Sequence, residues 1–214
     1  MNKTSKKSLL PINVNVVFEG RFVIMRPISM KEVNEKYVSW LNDPRINRFL
    51  EVRHKKQSIE DIINYVNGLR SQEGCEVFAI FTKEENVHVG NIAITEYYSN
   101  NSYATYGILI GDEVARMLGV GSEASIFTLE YFFRVVKIRR IWGRVLAGNE
   151  RSRRLVESLG FIREGTQRKH CLLSTGKPVD VYLYGILREE WLEHRKKFKY
   201  VLKHIKIKEI NKKG

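Results

Sequence analysis

Residues 107–124 read Gly-Ile-Leu-Ile-Gly-Asp-Glu-Val-Ala-Arg-Met-Leu-Gly-Val-Gly-Ser-Glu-Ala. Ile108, Leu109 and Ile110 form a short apolar run with a β-branched bias, which predicts a strand. Gly119 and Gly121 let the backbone turn tightly and approach a ligand closely. A helix beginning at Ser122 then starts with unpaired N–H groups aimed back at that turn. Free donors and the helix dipole both favour negative charge, so the chemistry offered here is anion binding.

A second stretch follows a strand predicted over Ile138–Ala147: Asn149-Glu-Arg-Ser-Arg-Arg-Leu-Val-Glu-Ser-Leu-Gly-Phe161. Asn149 is suited to cap a helix, and Leu155, Val156 and Leu159 give it an apolar stripe. Gly160 stands where a left-handed C-cap is expected, and Phe161 starts the next strand.

Taken together, Arg116-x-x-Gly119-x-Gly121 and the Asn149 to Leu-Gly-Phe161 segment resemble the GNAT N-acetyltransferases, over roughly Arg21 to Trp191. The resemblance implies an α+β fold: a mixed, mostly antiparallel central sheet with helices on both faces. It implies acetyl-CoA as cofactor and transfer of its acetyl group to a primary amine. The backbone of Arg116, Met117, Leu118, Gly119, Val120, Gly121 and Ser122 would cradle the pyrophosphate. An N–H of Leu109 or Ile110 would hold the acetyl carbonyl, and Asn149 the pantetheine arm.

The chain departs from the family pattern in three places. Close relatives often carry Gly-Lys where this chain has Met117-Leu118, which keeps the backbone donors of the loop but costs it a cation. Many members carry a tyrosine where this chain has Val156, so the proton donor to the leaving thiolate falls to Ser152, as in the ribosomal-protein branch. Relatives often carry a glutamate where this chain has Thr105; Glu96 and His170 are the replacement candidates for a base, His170 because an imidazole pKa suits neutral pH. Water-relayed proton removal is the third option. On the acceptor side, Trp40, Glu51, Arg53 and Arg168 are the expected contacts, Glu51 for a cationic amine and the arginines for phosphate or carboxylate. Trp40-Leu-Asn-Asp-Pro44 and Asn47-Arg-Phe-Leu-Glu-Val-Arg53 resemble a subgroup of sugar-modifying N-acetyltransferases, which implies as acceptor an anionic, nucleotide-linked amino sugar of surface-polysaccharide synthesis. Protein N-termini and a CoA-binding module without catalysis are the alternatives, and a homodimer is an open option.

The elements that must position these residues also show in the pattern. Residues 1–20 read as an arm and 192–214 as a basic helix and tail around a 21–191 domain. Ser29-x-x-Glu32 forms a capping box that predicts a helix to Leu41, Pro44 opens a short one, and Ser58 caps another to Arg70. Strands are expected at Phe22–Met25, Val77–Thr82, Val87–Thr95, Phe161–Leu173 and Val179–Leu187.

With 214 residues, 43% hydrophobic, the chain can bury one real core. No apolar run approaches the ~20 residues that span a bilayer, and no signal peptide is evident, so a cytoplasmic location is expected. Cys75 and Cys171 make neither a disulfide framework nor a metal spacing. The net charge of +13 favours an anionic partner. Aromatics do not interleave the basic C-terminal run, which argues against nucleic acid.

Overall fold

The computed structural model describes residues 15–72, 74–98 and 100–209. Its strands are β1 (Val16–Glu19), β2 (Val23–Pro27), β3 (Glu76–Thr82), β4 (His88–Tyr98), β5 (Tyr103–Ile110), β6 (Arg140–Leu146), β7 (Ile162–Leu172), β8 (Pro178–Leu187) and β9 (Lys206–Glu209). They form one nine-stranded sheet in the order β7-β8-β6-β5-β4-β3-β2-β1-β9. Every pairing is antiparallel except β5 with β6. The mixed, mostly antiparallel sheet expected from the sequence is what the chain forms.

Both faces are covered, because the central strands are apolar on both sides. One face carries α1 (Glu35–Asn42) and α3 (Ile59–Arg70), packed through Tyr37, Trp40, Leu41, Ile62 and Val66. The other carries α5 (Val120–Glu130), α6 (Glu150–Ser158) and α7 (Arg188–His194), packed through Phe127, Val156, Leu159 and Trp191. Short helices α2 (Pro44–Asn47), α4 (Glu113–Met117) and α8 (Lys199–Lys203) complete the set.

Several boundaries differ from the sequence pattern for local reasons. Ser29 does bond Glu32, its N–H and hydroxyl both donating to Oε2 at 2.8 and 2.6 Å. Both bonds run from Ser29 to the Glu32 carboxylate and close a turn only; the helix starts later, where Asn34 Oδ1 accepts from the N–H of Lys36 and Tyr37. The helix expected to run from Ser122 to Arg134 begins at Val120 and changes to a π turn over Tyr131–Val136. Of the expected N-terminal arm, residues 1–14 lie outside the described residues, and Val16–Glu19 is a sheet strand. The basic C-terminal segment is also docked. Trp191 is fully buried, its Nε1–H donates to Glu130 Oε2 at 3.2 Å, and Arg195 closes on the same carboxylate. Lys206–Glu209 then pairs with β1 at the sheet edge.

Arg53, expected to reach a phosphate, is a buried brace. It lies in a 3₁₀ turn (Glu51–His54), and its side chain is 1% exposed. Nε and Nη2 donate to Leu172 O at 2.8 and 2.7 Å, and Nη1 to Leu50 O at 2.6 Å. The guanidinium thus ties the turn to the end of β7. Arg53→Ala should lower unfolding free energy by about 1.5–3 kcal/mol, since charge-assisted bonds are lost and carbonyls left unpaired. Urea denaturation checks this, and the acceptor KM should stay put in the folded fraction.

Candidate active site

The site starts from an interrupted strand pairing. β5 and β6 pair only at Tyr103–Arg140, Ala104–Ile141 and Thr105–Trp142. Beyond those rungs β5 stays on β4 and β6 stays on β8, to Ile110 and Leu146 respectively. Two features sit at the branch. Gly143 lies beside the Tyr106 carbonyl, where a Cβ would sit 3.4 Å from the oxygen, an ordinary contact distance. Across β5, β4 is bulged between Thr95 and Tyr98 with Glu96 at φ 49°, and bulges increase local twist.

Alternation along β5 decides which amides face the opening. Gly111 N–H donates to Val89 O at 2.9 Å, so odd-numbered residues of β5 aim their N–H at β4. The N–H of Leu109 is therefore spent inside the sheet. Those of Ile108 and Ile110 point to the side that β6 has left. Of the two donors expected from sequence, Ile110 is the one facing the gap.

Two cavities of about 450 Å³ each meet at the opening. They share Phe49, Leu50, Ile108, Leu109, Asn149 and Ser152. The outer cavity ends at the start of α5 and is lined by Arg116, Gly119, Gly121 and Ser122. Gly119 caps α5 at φ 75°, a left-handed conformation, and the N–H of Ser122 and Glu123 donate to its carbonyl at 3.0 and 3.1 Å. Arg116 is partly engaged, donating to Ile110 O at 2.8 Å and Gly111 O at 3.1 Å. Met117 and Leu118 are 73% and 62% exposed and, like buried Val120, lie outside this cavity's lining. Arg45 and Arg151, which the sequence reading missed, do line it. Their signal was the basic character of α2 and of the first turn of α6, legible only once both are known to face the Gly119 turn.

The inner cavity passes through the sheet. Leu109, Ile62, Asn91 and Ala93 bound it on the α1/α3 face, and Val156, Phe161, Tyr106 and Tyr184 on the α5/α6 face. Ser152 stands at the junction, its N–H capped by Asn149 Oδ1 at 3.2 Å. Two phenols line the cavity that sequence reasoning did not single out. Burial pushes Tyr106 up to about 12. Burial, then the bond its hydroxyl donates to Glu157 at 2.8 Å, pushes Tyr184 up to about 12 as well. Both are protonated at neutral pH.

Of the charged groups, Glu51, Asp61 and Arg144 line the inner cavity. Asp61 is held down at about 2, first by the Lys55 ammonium bonded to it at 2.8 Å, then by Ser58. It is an anion at any physiological pH. Glu51 is 83% exposed at the mouth and 3.4 Å from Arg53 Nη1.

The remaining expected residues lie elsewhere. Trp40 is buried in α1, packed against His88 and Gly111, and is core. Arg168 and His170 are exposed on β7, the edge strand, and line neither cavity. Glu96 is exposed too; its Oε2 accepts from the Thr105 hydroxyl at 2.8 Å, away from both cavities. Among the described residues no cluster of metal-ligating side chains occurs, and no helix is long and apolar enough to cross a membrane. Both cysteines are free thiols.

Comparison with known proteins bears on the family and the fold. The family model for the acetyltransferase (GNAT) domain matches residues 23–162. The uncharacterized N-acetyltransferase p20 of Bacillus licheniformis is 24% identical over 169 residues, 78% of this chain and 93% of its own length. YnaD of Bacillus subtilis (strain 168), also an uncharacterized N-acetyltransferase, is 29% identical over 132 residues, 62% of this chain and 75% of its own. Among solved structures, an acetyltransferase (GNAT family) from Bacillus anthracis superposes with a TM-score of 0.65 at 25% identity, over 81% of this chain and 99% of that one. A spermidine N-acetyltransferase from Vibrio cholerae, in complex with CoA and spermine, shares the fold with a TM-score of 0.66 at 19% identity, over 79% and 98% of the two chains.

The outer cavity makes a direct prediction. A Cβ on Gly121 would meet Ile110 and Ile108 at 3.4 and 3.5 Å, ordinary contact distances, so Gly121→Val should fold while its methyls enter the cradle. Calorimetry should show CoA binding weakened by about tenfold or more, a penalty of about 1.4 kcal/mol or more. Unchanged affinity in a variant with native circular dichroism contradicts the cradle.

Proposed function

The chain belongs to the GNAT family of acetyl-CoA-dependent N-acetyltransferases, and on that premise we propose that its acceptor is a compact primary amine such as a free amino sugar. The observation that carries this reading is the lining of the inner cavity. It is small and mostly apolar, holds the carboxylates of Glu51 and Asp61, and has Arg144 as its single Lys or Arg among the described residues. A nucleotide-linked sugar needs cations for its phosphates. The two expected to serve, Arg53 and Arg168, are a buried brace and an exposed edge residue. The diphosphate-free amine is therefore favoured over the nucleotide-linked one.

Acetyl-CoA fits the paired cavities: a helix start with Arg45, Arg116 and Arg151 for phosphates, then a channel past Asn149 to the strand opening. When bound it supplies the thioester acetyl group. Ile110 N–H, fixed by the strand, is aimed to donate a hydrogen bond to the carbonyl oxygen as negative charge develops on it. Glu51 attracts the cationic amine to the mouth. Neither Glu96 nor His170 lines the cavities, so the ammonium proton leaves by water to solvent. The amine nitrogen would bond the carbonyl carbon and the carbon–sulfur bond would break; Ser152 at the junction gives its hydroxyl proton to the departing thiolate and regains one, by way of water, from the nitrogen as it becomes the amide.

Thiol release with glucosamine, its nucleotide-diphosphate form and peptide N-termini tests the acceptor; glucosamine should be turned over best. Exclusive turnover of peptides or of the nucleotide-linked sugar overturns the reading. Ser152→Ala should lower kcat about 10²-fold with the KM for acetyl-CoA nearly unchanged. Glu51→Gln should raise the acceptor KM by about tenfold, and higher salt should act in the same direction.

A further inference from the structure

Two buried polar atoms lining the inner cavity, the Tyr106 hydroxyl and the Asn91 amide nitrogen, have no hydrogen-bond partner among the described residues, and the amide is the one whose orientation its neighbour fixes. Asn91 is 4% exposed and lines the cavity, and its Nδ2 has no hydrogen-bond partner among the described residues. Its neighbour settles which way the amide faces. His88 Nε2 lies 3.0 Å from Gly90 O and 3.0 Å from Asn91 Oδ1. A backbone carbonyl can only accept, so Nε2 carries a proton. Asn91 must then present its oxygen to the same N–H, since an NH₂ there would set donor against donor.

The imidazole itself is held in place. Its ring packs against Trp40, Phe81 and Tyr37 at centroid distances of 5.0, 5.5 and 6.2 Å. Burial lowers its pKa, so the neutral Nε2–H form is the stable one. With Oδ1 consumed by His88, the two N–H bonds of Asn91 are left without a partner where the residue borders the cavity. They sit on the same sheet face as Leu109 and Ala93, where the acceptor must approach the strand opening.

We infer that Asn91, oriented by His88, is a specificity-determining donor that reads a hydroxyl or carbonyl oxygen on the acceptor amine. The inference rests on the acetyl-transfer reading for the identity of the cavity, and adds a requirement to it: the amine must carry an oxygen. A buried donor left unpaired rejects a ligand lacking its partner far more steeply than an apolar wall rejects a missing methylene. His88 is a positioning residue, acting only through the amide.

The test uses two amine pairs with and without oxygen: glucosamine with cyclohexylamine, and glycinamide with propylamine. In ¹⁵N-labelled protein saturated with CoA, the Asn91 side-chain NH₂ signals are identified by their loss in Asn91→Leu. They should shift with glucosamine or glycinamide and stay still with the oxygen-free partner. In steady-state assays the oxygen-bearing amine should be favoured by about tenfold or more in kcat/KM. Asn91→Leu and the near-isosteric Asn91→Asp should both erase that preference and leave the KM for acetyl-CoA unchanged. Asn91→Asp carries the test if Asn91→Leu does not fold. His88→Gln, which keeps an N–H, should retain the preference that His88→Phe loses, an outcome that mere packing by His88 does not produce. An unaltered preference in the Asn91 variants, or NH₂ signals indifferent to both pairs, overturns the inference. NH₂ shifts without any acetyl transfer overturn the catalytic reading and leave this one standing; acetyl transfer with silent NH₂ signals does the reverse.

Discussion

Everything functional in this chain depends on the parting of β5 from β6. A sheet interior has no room for a ligand, because each strand's N–H and C=O groups are used by its neighbours. Here the pairing ends after Thr105–Trp142, and each strand keeps only its outer partner. The break leaves N–H groups on Ile108 and Ile110 without a neighbouring strand, opens a passage between the two faces, and points the end of β5 at the start of α5. Burying such an opening is costly unless something completes it. An extended chain of amides, such as a pantetheine arm, has the chemistry to do so.

The flanking elements serve that geometry. Arg53 braces the 3₁₀ turn beside the inner cavity against the end of β7, and Asn149 caps α6 so that Ser152 stands at the junction. On the far side, Glu123 accepts the N–H of Arg21 and Phe22 at 2.8 and 3.0 Å, fastening the β1–β2 turn to α5. Glu130 gathers Arg134, Arg195 and Trp191, and so holds the C-terminal helices on the same layer. Part of the +13 charge is thereby internal bracing, and does not face a partner.

The glycine turn, the Asn149 cap and the helix closing at Leu-Gly-Phe161 were legible in the sequence because each is a local rule: a left-handed φ, a side-chain cap, a stripe of period 3.6. The acceptor side was not. Arg53, Arg168 and His170 have the right chemistry, but their fate depends on register and burial over long sequence separation. Arg53 meets Leu172 across 119 residues, and His170 falls on an edge strand with solvent beside it. Asn91 read as an ordinary strand residue; its interest arises from two hydrogen bonds made by His88, which no periodicity reveals. Tyr106 and Tyr184 escaped notice likewise, since only the β6–β8 register sets Tyr184 opposite Gly143.

Amide hydrogen exchange along β5 tests the central claim most directly. Leu109 N–H, committed to β4, should exchange slowly with or without ligand. Ile108 and Ile110 N–H, facing the opening, should exchange faster in the free protein and slow by about tenfold or more when CoA binds. If Ile108 and Ile110 are already as protected as Leu109 without ligand, or if CoA leaves them unchanged while binding, the opening between β5 and β6 is not the cofactor's site and the account fails.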